Sequence, residues 1–222
     1  IEAATNTAAC CCNVQMFDRE HSRLSLIQAA LKEAGVERLG AEEEKLSHAE
    51  YLGYEKALGM ELLPAQAIFS ELRASKSKEE IGYLREAQAI SEKALAEVLR
   101  IIKPGMTERQ VAAELVYRML LNGSEGNSFD PIVITGKKTS MPHGVPGDEV
   151  IHEGDFVTMD FGCLKHGYCS DMTRTVAIGY ATDEMKNIYN IVLEAQLAGI
   201  AAARAGIPGY EIDAAARNVI TK

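Results

Sequence analysis

The sequence predicts an α+β fold, with an antiparallel sheet and flanking helices, preceded by part of a smaller α/β domain. Three observations carry that expectation: two long helical patterns opened by capping boxes, a stretch of β-branched residues and glycines that folds back as a hairpin, and a first block in which short helices alternate with extended runs. The 222 residues are 47% hydrophobic and 25% charged, which suits one substantial core and excludes general disorder.

Within residues 1–73, Leu24, Ile27, Leu31 and Ala34 recur at helical spacing and stop at Gly35, and a strand is expected over 36–39. A second helix over 47–58 ends near Gly59, and Leu62-Leu63-Pro64 reads as a short extended piece. Ile1-Glu2-Ala3-Ala4 supply no cap or turn, so the block reads as a domain entered partway. The polar, basic run Arg73-Ala74-Ser75-Lys76-Ser77-Lys78 suits a connection to a second domain over 77–222.

Ser77 with Glu80 makes a capping box, opening a helix whose Ile81, Leu84, Ala87, Ala94, Leu95, Val98 and Ile102 keep the helical period until Pro104-Gly105. Thr107 with Gln110 makes another, and Val111, Leu115 and Met119 carry its stripe to Asn122-Gly123. Strands are expected within 129–135 and 150–178. Thr182, Asp183 and Glu184 suit a helix start, and that helix is expected to run to Gly206. Pro208-Gly209 then echoes Pro104-Gly105 at an offset of 104 residues, as a duplicated half-domain would. A second set of strands should follow, whereas the chain stops at Lys222 in a helical pattern, so the second half is expected to be incomplete.

Composition excludes several functions. Lys and Arg total 23 against 32 Asp and Glu, a net charge of −9, so nucleic acid is an unfavourable partner. No apolar run reaches the roughly 20 residues of a bilayer span, and no signal peptide opens the chain, so a soluble, cytoplasmic protein without a membrane partner is expected. The five cysteines are odd in number. The consecutive Cys10, Cys11 and Cys12 have only His21 nearby, so they read as small buried or half-buried residues rather than a zinc site.

The hairpin carries the chemistry. A turn at Lys165-His166-Gly167, centred between Lys165 and His166, places Asp160 opposite Asp171. One face then holds Phe156, Thr158, Asp160, Gly162, Cys169, Asp171, Thr173 and Thr175; the other holds Val157, Met159, Phe161, Tyr168, Met172 and Val176. Cys163 falls on the core face and Cys169 on the polar one, which disfavours a disulfide between them. Carboxylates opposed across a strand pair have Cβ atoms about 4.5–5.5 Å apart and repel. Bound divalent cations, a shared proton, or screening by water on an open face would each relieve this. Thr158, Thr173 and Thr175 are either donors to the aspartates or simply strand formers. Upstream, Ser140-Met141-Pro142-His143-Gly144-Val145-Pro146-Gly147-Asp148 holds His143 in a loop, as a proton carrier, a substrate contact or a solvated side chain.

At these residues the chain resembles the pita-bread metallopeptidases, the clan of Xaa-Pro aminopeptidases, Xaa-Pro dipeptidases, methionine aminopeptidases and creatinase. Met141-Pro142-His143-Gly144-Val145-Pro146, Met159-Asp160-Phe161-Gly162 and Gly167-Tyr168-Cys169-Ser170-Asp171-Met172-Thr173-Arg174-Thr175 carry the resemblance. It covers residues 77–222 and, more weakly, the first block, which looks like the later part of the creatinase-type N-terminal domain.

The resemblance implies a pita-bread fold and a hydrolase that releases an N-terminal residue preceding proline from a dipeptide or longer peptide. It implies two divalent metal ions, manganese or cobalt, with Asp160 chelating one and Asp171 bridging both, and a bridged water attacking the peptide carbonyl. His143 would line the substrate pocket and assist the tetrahedral intermediate, and the protein would be a homodimer. The family completes its site with one His and two Glu from the second half of the fold. No His follows Asp171 here, and Glu184, Glu194 and Glu211 lack the family's flanking residues, so none is assigned. Gly147 stands where Ser is common. The chain alone is therefore expected to be nearly inactive. The competing reading is a catalytically silent pita-bread binding protein; metal-free creatinase-like hydrolysis is disfavoured by the intact aspartate pair.

Overall fold

The computed structural model describes residues 14–221. The chain divides into two compact units, Ile1–Lys76 and Ser77–Lys222. Ile1-Glu2-Ala3-Ala4, the Cys10-Cys11-Cys12 triplet and Lys222 lie outside the described residues.

The first unit is the expected alternation of helix and strand. Helix α1 (Arg23–Glu33) is capped by Ser22, whose hydroxyl accepts the Ser25 N–H. It closes with a Schellman pattern: Gly35, at φ +61°, donates to the Lys32 carbonyl and Val36 to that of Leu31. Val36 is thereby occupied in ending the helix. Strand β1 consequently spans Leu39–Ala41, later than the expected 36–39. After α2 (His48–Leu58), β1 pairs in parallel with β2 (Leu62–Pro64), Leu39 beside Leu62. Helix α3 (Gln66–Ala74) was not foreseen. Its first residues carry no side-chain cap; instead the Glu43 carboxylate, distant in sequence, accepts the N–H groups of Ala65 and Gln66 at 3.0 and 3.1 Å. A helix capped from afar leaves no local start signal.

In the second unit both capping boxes form as expected. They open α4 (Lys78–Val98) and α5 (Glu108–Leu121). Helix α4 ends four residues before Ile102, in a turn leading to Pro104. Ala87, Ala94 and Val98 of α4 and Val111, Leu115 and Met119 of α5 are fully buried against the sheet.

The strands are β3 (Gly126–Asn127), β4 (Ile132–Thr135), β5 (Phe156–Phe161), β6 (Cys163–Lys165), β7 (Tyr168–Cys169) and β8 (Met172–Ala177). They form two antiparallel sheets, β4-β5-β8 and β3-β6-β7. Beyond them lie α6 (Asp183–Ala202) and α7 (Gly209–Ile220). Among the described residues no helix is long and apolar enough to cross a membrane.

The hairpin register differs from expectation. Lys165 pairs with Tyr168, and His166 and Gly167 form the turn at φ +52° and +76°. A two-residue turn of this hand needs positive φ at both central residues, so its centre falls after His166 rather than before it. Asp160 therefore lies opposite Thr173, not Asp171. The shift is even, so the face assignments survive: Val157, Met159 and Phe161 are fully buried, while Asp171 and Thr173 are exposed.

Between the sheets the hairpin is pinched. A Cβ at Gly162 would lie 1.9 Å from the Ser170 carbonyl oxygen, so only glycine fits. The buried Ser170 hydroxyl accepts the Cys163 N–H at 2.9 Å and bonds the Ser91 hydroxyl of α4 at 2.8 Å. Ser128 donates its hydroxyl to the Ser170 carbonyl at 2.7 Å and its N–H to that of Gly162 at 3.1 Å. Cys163 is buried and Cys169 exposed, and both are free thiols.

The two helix starts that echo each other match at a different phase from the one the prolines indicate. Gly105, at φ +91°, stands two residues before the N-cap Thr107, and Gly206, at φ +86°, stands two residues before the N-cap Pro208. Met106 donates to the Lys103 carbonyl and Ile207 to that of Arg204. The offset is thus 101 residues, from Gly105 to Gly206, and Pro208 matches a cap rather than Pro104. Likewise α6 ends at Ala202, before the Gly206 turn.

Two outcomes follow. Gly162→Ala should lower stability by about 3 kcal/mol in urea unfolding, because the added methyl meets backbone. The second concerns Glu125, whose carboxyl the His166 N–H, donating at 3.1 Å, holds below its usual range. Its contribution to folding is full above its unfolded pKa and is lost as pH falls through the lower folded one. Amide exchange at the hairpin tip should accelerate on acidification, and Glu125→Gln should remove that dependence.

Candidate functional site

The site begins with the outward face of β5. Asp160 is half-buried and receives the Thr173 hydroxyl at 3.0 Å on Oδ1, which orients its carboxylate. One step along, the hydroxyls of Thr158 and Thr175 bond each other at 2.9 Å. Of the three threonines, Thr173 is the one that serves an aspartate; the other two form a cross-strand pair.

Asp171 lies between Ser170 and Met172, both buried, so its backbone is held on either side while its side chain is exposed. In this register it is the diagonal neighbour of Asp160, at a Cα separation of about 7–8 Å in regular sheets. Among the described residues neither aspartate has an ion-pair partner, and Arg174 donates instead to the Thr173 carbonyl at 2.7 Å. Two carboxylates thus share a face without a compensating cation from the protein.

The loop that carries His143 lies against the same face by a different route. Residues 141–144 make a turn, the Gly144 N–H donating to the Met141 carbonyl at 3.2 Å, and His143 is exposed at its third position. Gly144 is buried against Ile134: a Cβ there would come within 2.7 Å of Ile134 Cγ2. Ile134 pairs with Thr158, two residues before Asp160. The loop is therefore seated on the aspartate face of the sheet.

The donor set fits a divalent cation in kind, since carboxylate oxygens are hard ligands. It is small in number: among the described residues no group of three or more His, Cys, Asp or Glu is placed to hold a metal. Glu184, Glu194 and Glu211 are exposed on α6 and α7. A surface hollow of about 620 Å³ is lined by Phe17, Arg23, Leu26 and Ile27 of the first unit and by none of these residues. The serine contacts behind Asp171 were not foreseen; the small, polar Ser170 in the middle of a β-rich run was the available signal.

Comparison with known proteins gives concordant results. The family described as metallopeptidase family M24 matches residues 82–222. An uncharacterised peptidase of Bacillus subtilis, YqhT, is 42% identical over 200 residues, covering 88% of this chain and 57% of its own length. Among solved structures, an Xaa-Pro dipeptidase from Bacillus anthracis superposes with a TM-score of 0.83 at 42% identity, covering 89% of this chain and 56% of that one. An X-Pro aminopeptidase from Thermotoga maritima gives 0.85 at 34% identity, covering 94% and 58%. The fold is the expected pita-bread type, and the chain spans about half the length of the curated relatives it matches.

Gly144→Ala should unseat the loop from Ile134. The expected result is a loss of about 1–3 kcal/mol in urea unfolding, together with a changed chemical shift of the His143 ring.

Proposed function

Since this chain belongs to metallopeptidase family M24, we propose that it supplies part of the active site of a metal-dependent exopeptidase that releases an N-terminal residue preceding proline. The observation that carries this reading is the paired, uncompensated carboxylates of Asp160 and Asp171 on one sheet face, with the His143 loop seated on that face. Asp160 and Asp171 are the residues that would hold two divalent ions, and manganese or cobalt suits such oxygen-rich ligation. Divalent ions, when bound, lower the pKa of water and polarise a carbonyl.

The remaining roles belong to side chains of this chain. Thr173 holds the Asp160 carboxylate in one orientation, as a ligand to a metal would require. His143, exposed on a short turn, would contact the substrate and donate to the oxygen that becomes negative in the transition state. The substrate is a dipeptide or longer peptide with proline second; the two solved relatives, a dipeptidase and an aminopeptidase by name, represent both classes.

Residues 77–222 form the part of the pita-bread domain that bears this site, and residues 1–73 part of a creatinase-type N-terminal domain. The same reading makes the protein a cytoplasmic homodimer without nucleic acid or membrane partners, supported by its net charge of −9 and by the resemblance. With two carboxylate ligands, the 222-residue chain alone binds ions weakly and is nearly inactive.

The decisive measurement is metal titration by calorimetry alongside hydrolysis of Xaa-Pro peptides by the intact protein. Chelation should abolish release of the N-terminal residue and manganese should restore it. Asp171→Asn should cut the restored rate on the order of a thousandfold, the scale of several kcal/mol of lost transition-state stabilisation. Undiminished activity in that variant would remove the metal-holding role of Asp171. Folded protein that neither binds metal nor cleaves such peptides would favour the silent binding reading.

A further inference from the structure

Glu108 is a fully buried carboxylate with no part in the reading above. It is the first residue of α5, directly after the N-cap Thr107. A helix N-terminus favours a negative charge, but burying one also requires direct donors. Glu108 has three, from three segments. Oε1 accepts the Thr135 N–H at the end of β4, at 2.9 Å, and Oε2 accepts the Gly147 N–H at 2.9 Å and the Lys138 ammonium.

Two of those donors, Gly147 and Lys138, engage one loop. Lys138 also donates to the Val145 carbonyl at 3.3 Å. The Arg109 N–H donates to the Gly147 carbonyl at 3.0 Å and the Glu108 N–H to that of Glu149 at 3.1 Å. The segment following His143 is therefore fastened at 145, 147 and 149 to the first turn of α5 and to Lys138, with one carboxylate at the centre. On the other side of Val145, Gly144 rests against Ile134. The exposed His143 ring takes its position from what its loop is tied to.

We propose that Glu108 is a positioning residue for His143: its buried carboxylate clasps Gly147 and Lys138 and so holds the loop that presents the imidazole on the aspartate face. The proposal rests on the reading of His143 as a substrate-contacting group. The side-chain chemistry is specific. Aspartate is one methylene short of spanning from Thr135 to Gly147, and glutamine would turn an NH2 group toward one of the N–H donors.

The test uses the intact, metal-loaded protein with Glu108→Gln, His143→Ala and the double variant. Xaa-Pro dipeptide hydrolysis, metal affinity, and hydrogen exchange over residues 141–148 are measured on each. His143→Ala should lower kcat on the order of a hundredfold. Glu108→Gln should lower it on the order of tenfold, with KM and metal affinity unchanged, and should speed loop exchange about tenfold. The double variant should be no slower than His143→Ala, because both changes act through one group.

Multiplying effects in the double variant, or loop exchange unchanged by Glu108→Gln, would overturn the proposal. If the unmodified protein cleaves no Xaa-Pro peptide, the functional reading falls separately, and the exchange measurement alone decides whether Glu108 holds the loop. Lys138→Gln, which keeps a donor but removes the charge, replaces Glu108→Gln if that variant does not fold, with the same pattern expected.

Discussion

The constraint on which the rest depends is the pinch where the hairpin passes from one sheet to the other. Gly162 and the Ser170 carbonyl approach more closely than any side chain allows, and Ser91 and Ser128 satisfy the polar atoms exposed by the break. Strand alternation puts Asp160 and Asp171 on one face, and that contact fixes the backbone on which Asp171 is carried although the like charges repel. Buried polar groups that are fully bonded give a unique geometry, and this one is bonded from both sides. The helix α4 contributes through Ser91, so the position of Asp171 is tied to the packed core.

Much of the fold was legible because it is written in local rules. Capping boxes at Ser77 and Thr107 opened helices where they stand, and strand alternation sorted Val157, Met159 and Phe161 from Thr158 and Asp160. The misreadings share a cause, which is information carried over distance or in backbone conformation. Helix α3 takes its cap from Glu43, far back in the chain. The turn falls at His166-Gly167 because a non-glycine residue adopts a positive φ there, and the match between the two helix starts runs through Gly206 rather than Pro208.

The same division holds for the candidate site. Asp160, Asp171 and His143 stand out through motif spacing, whereas the service each receives from neighbours does not. Thr173 and Thr175 look alike in sequence, yet one orients a carboxylate and the other pairs with a threonine. Glu108 reads as an ordinary acid complementing a helix N-terminus; its burial and its hold on the 145–149 segment emerge only when β4, the loop and α5 are assembled. Chemistry-bearing residues are recognisable by type, and their supports only by place.

The pairing of the hairpin has a consequence for descent. Because side chains alternate across a strand, only parity decides whether the acids share a surface. Sliding one arm past the other by two residues leaves both acids on their present side, whereas a slip of one turns an arm over and buries a carboxylate. A residue added at the tip is taken up by a longer loop and turns neither arm, so the tip is free to vary in length while the pairing is not.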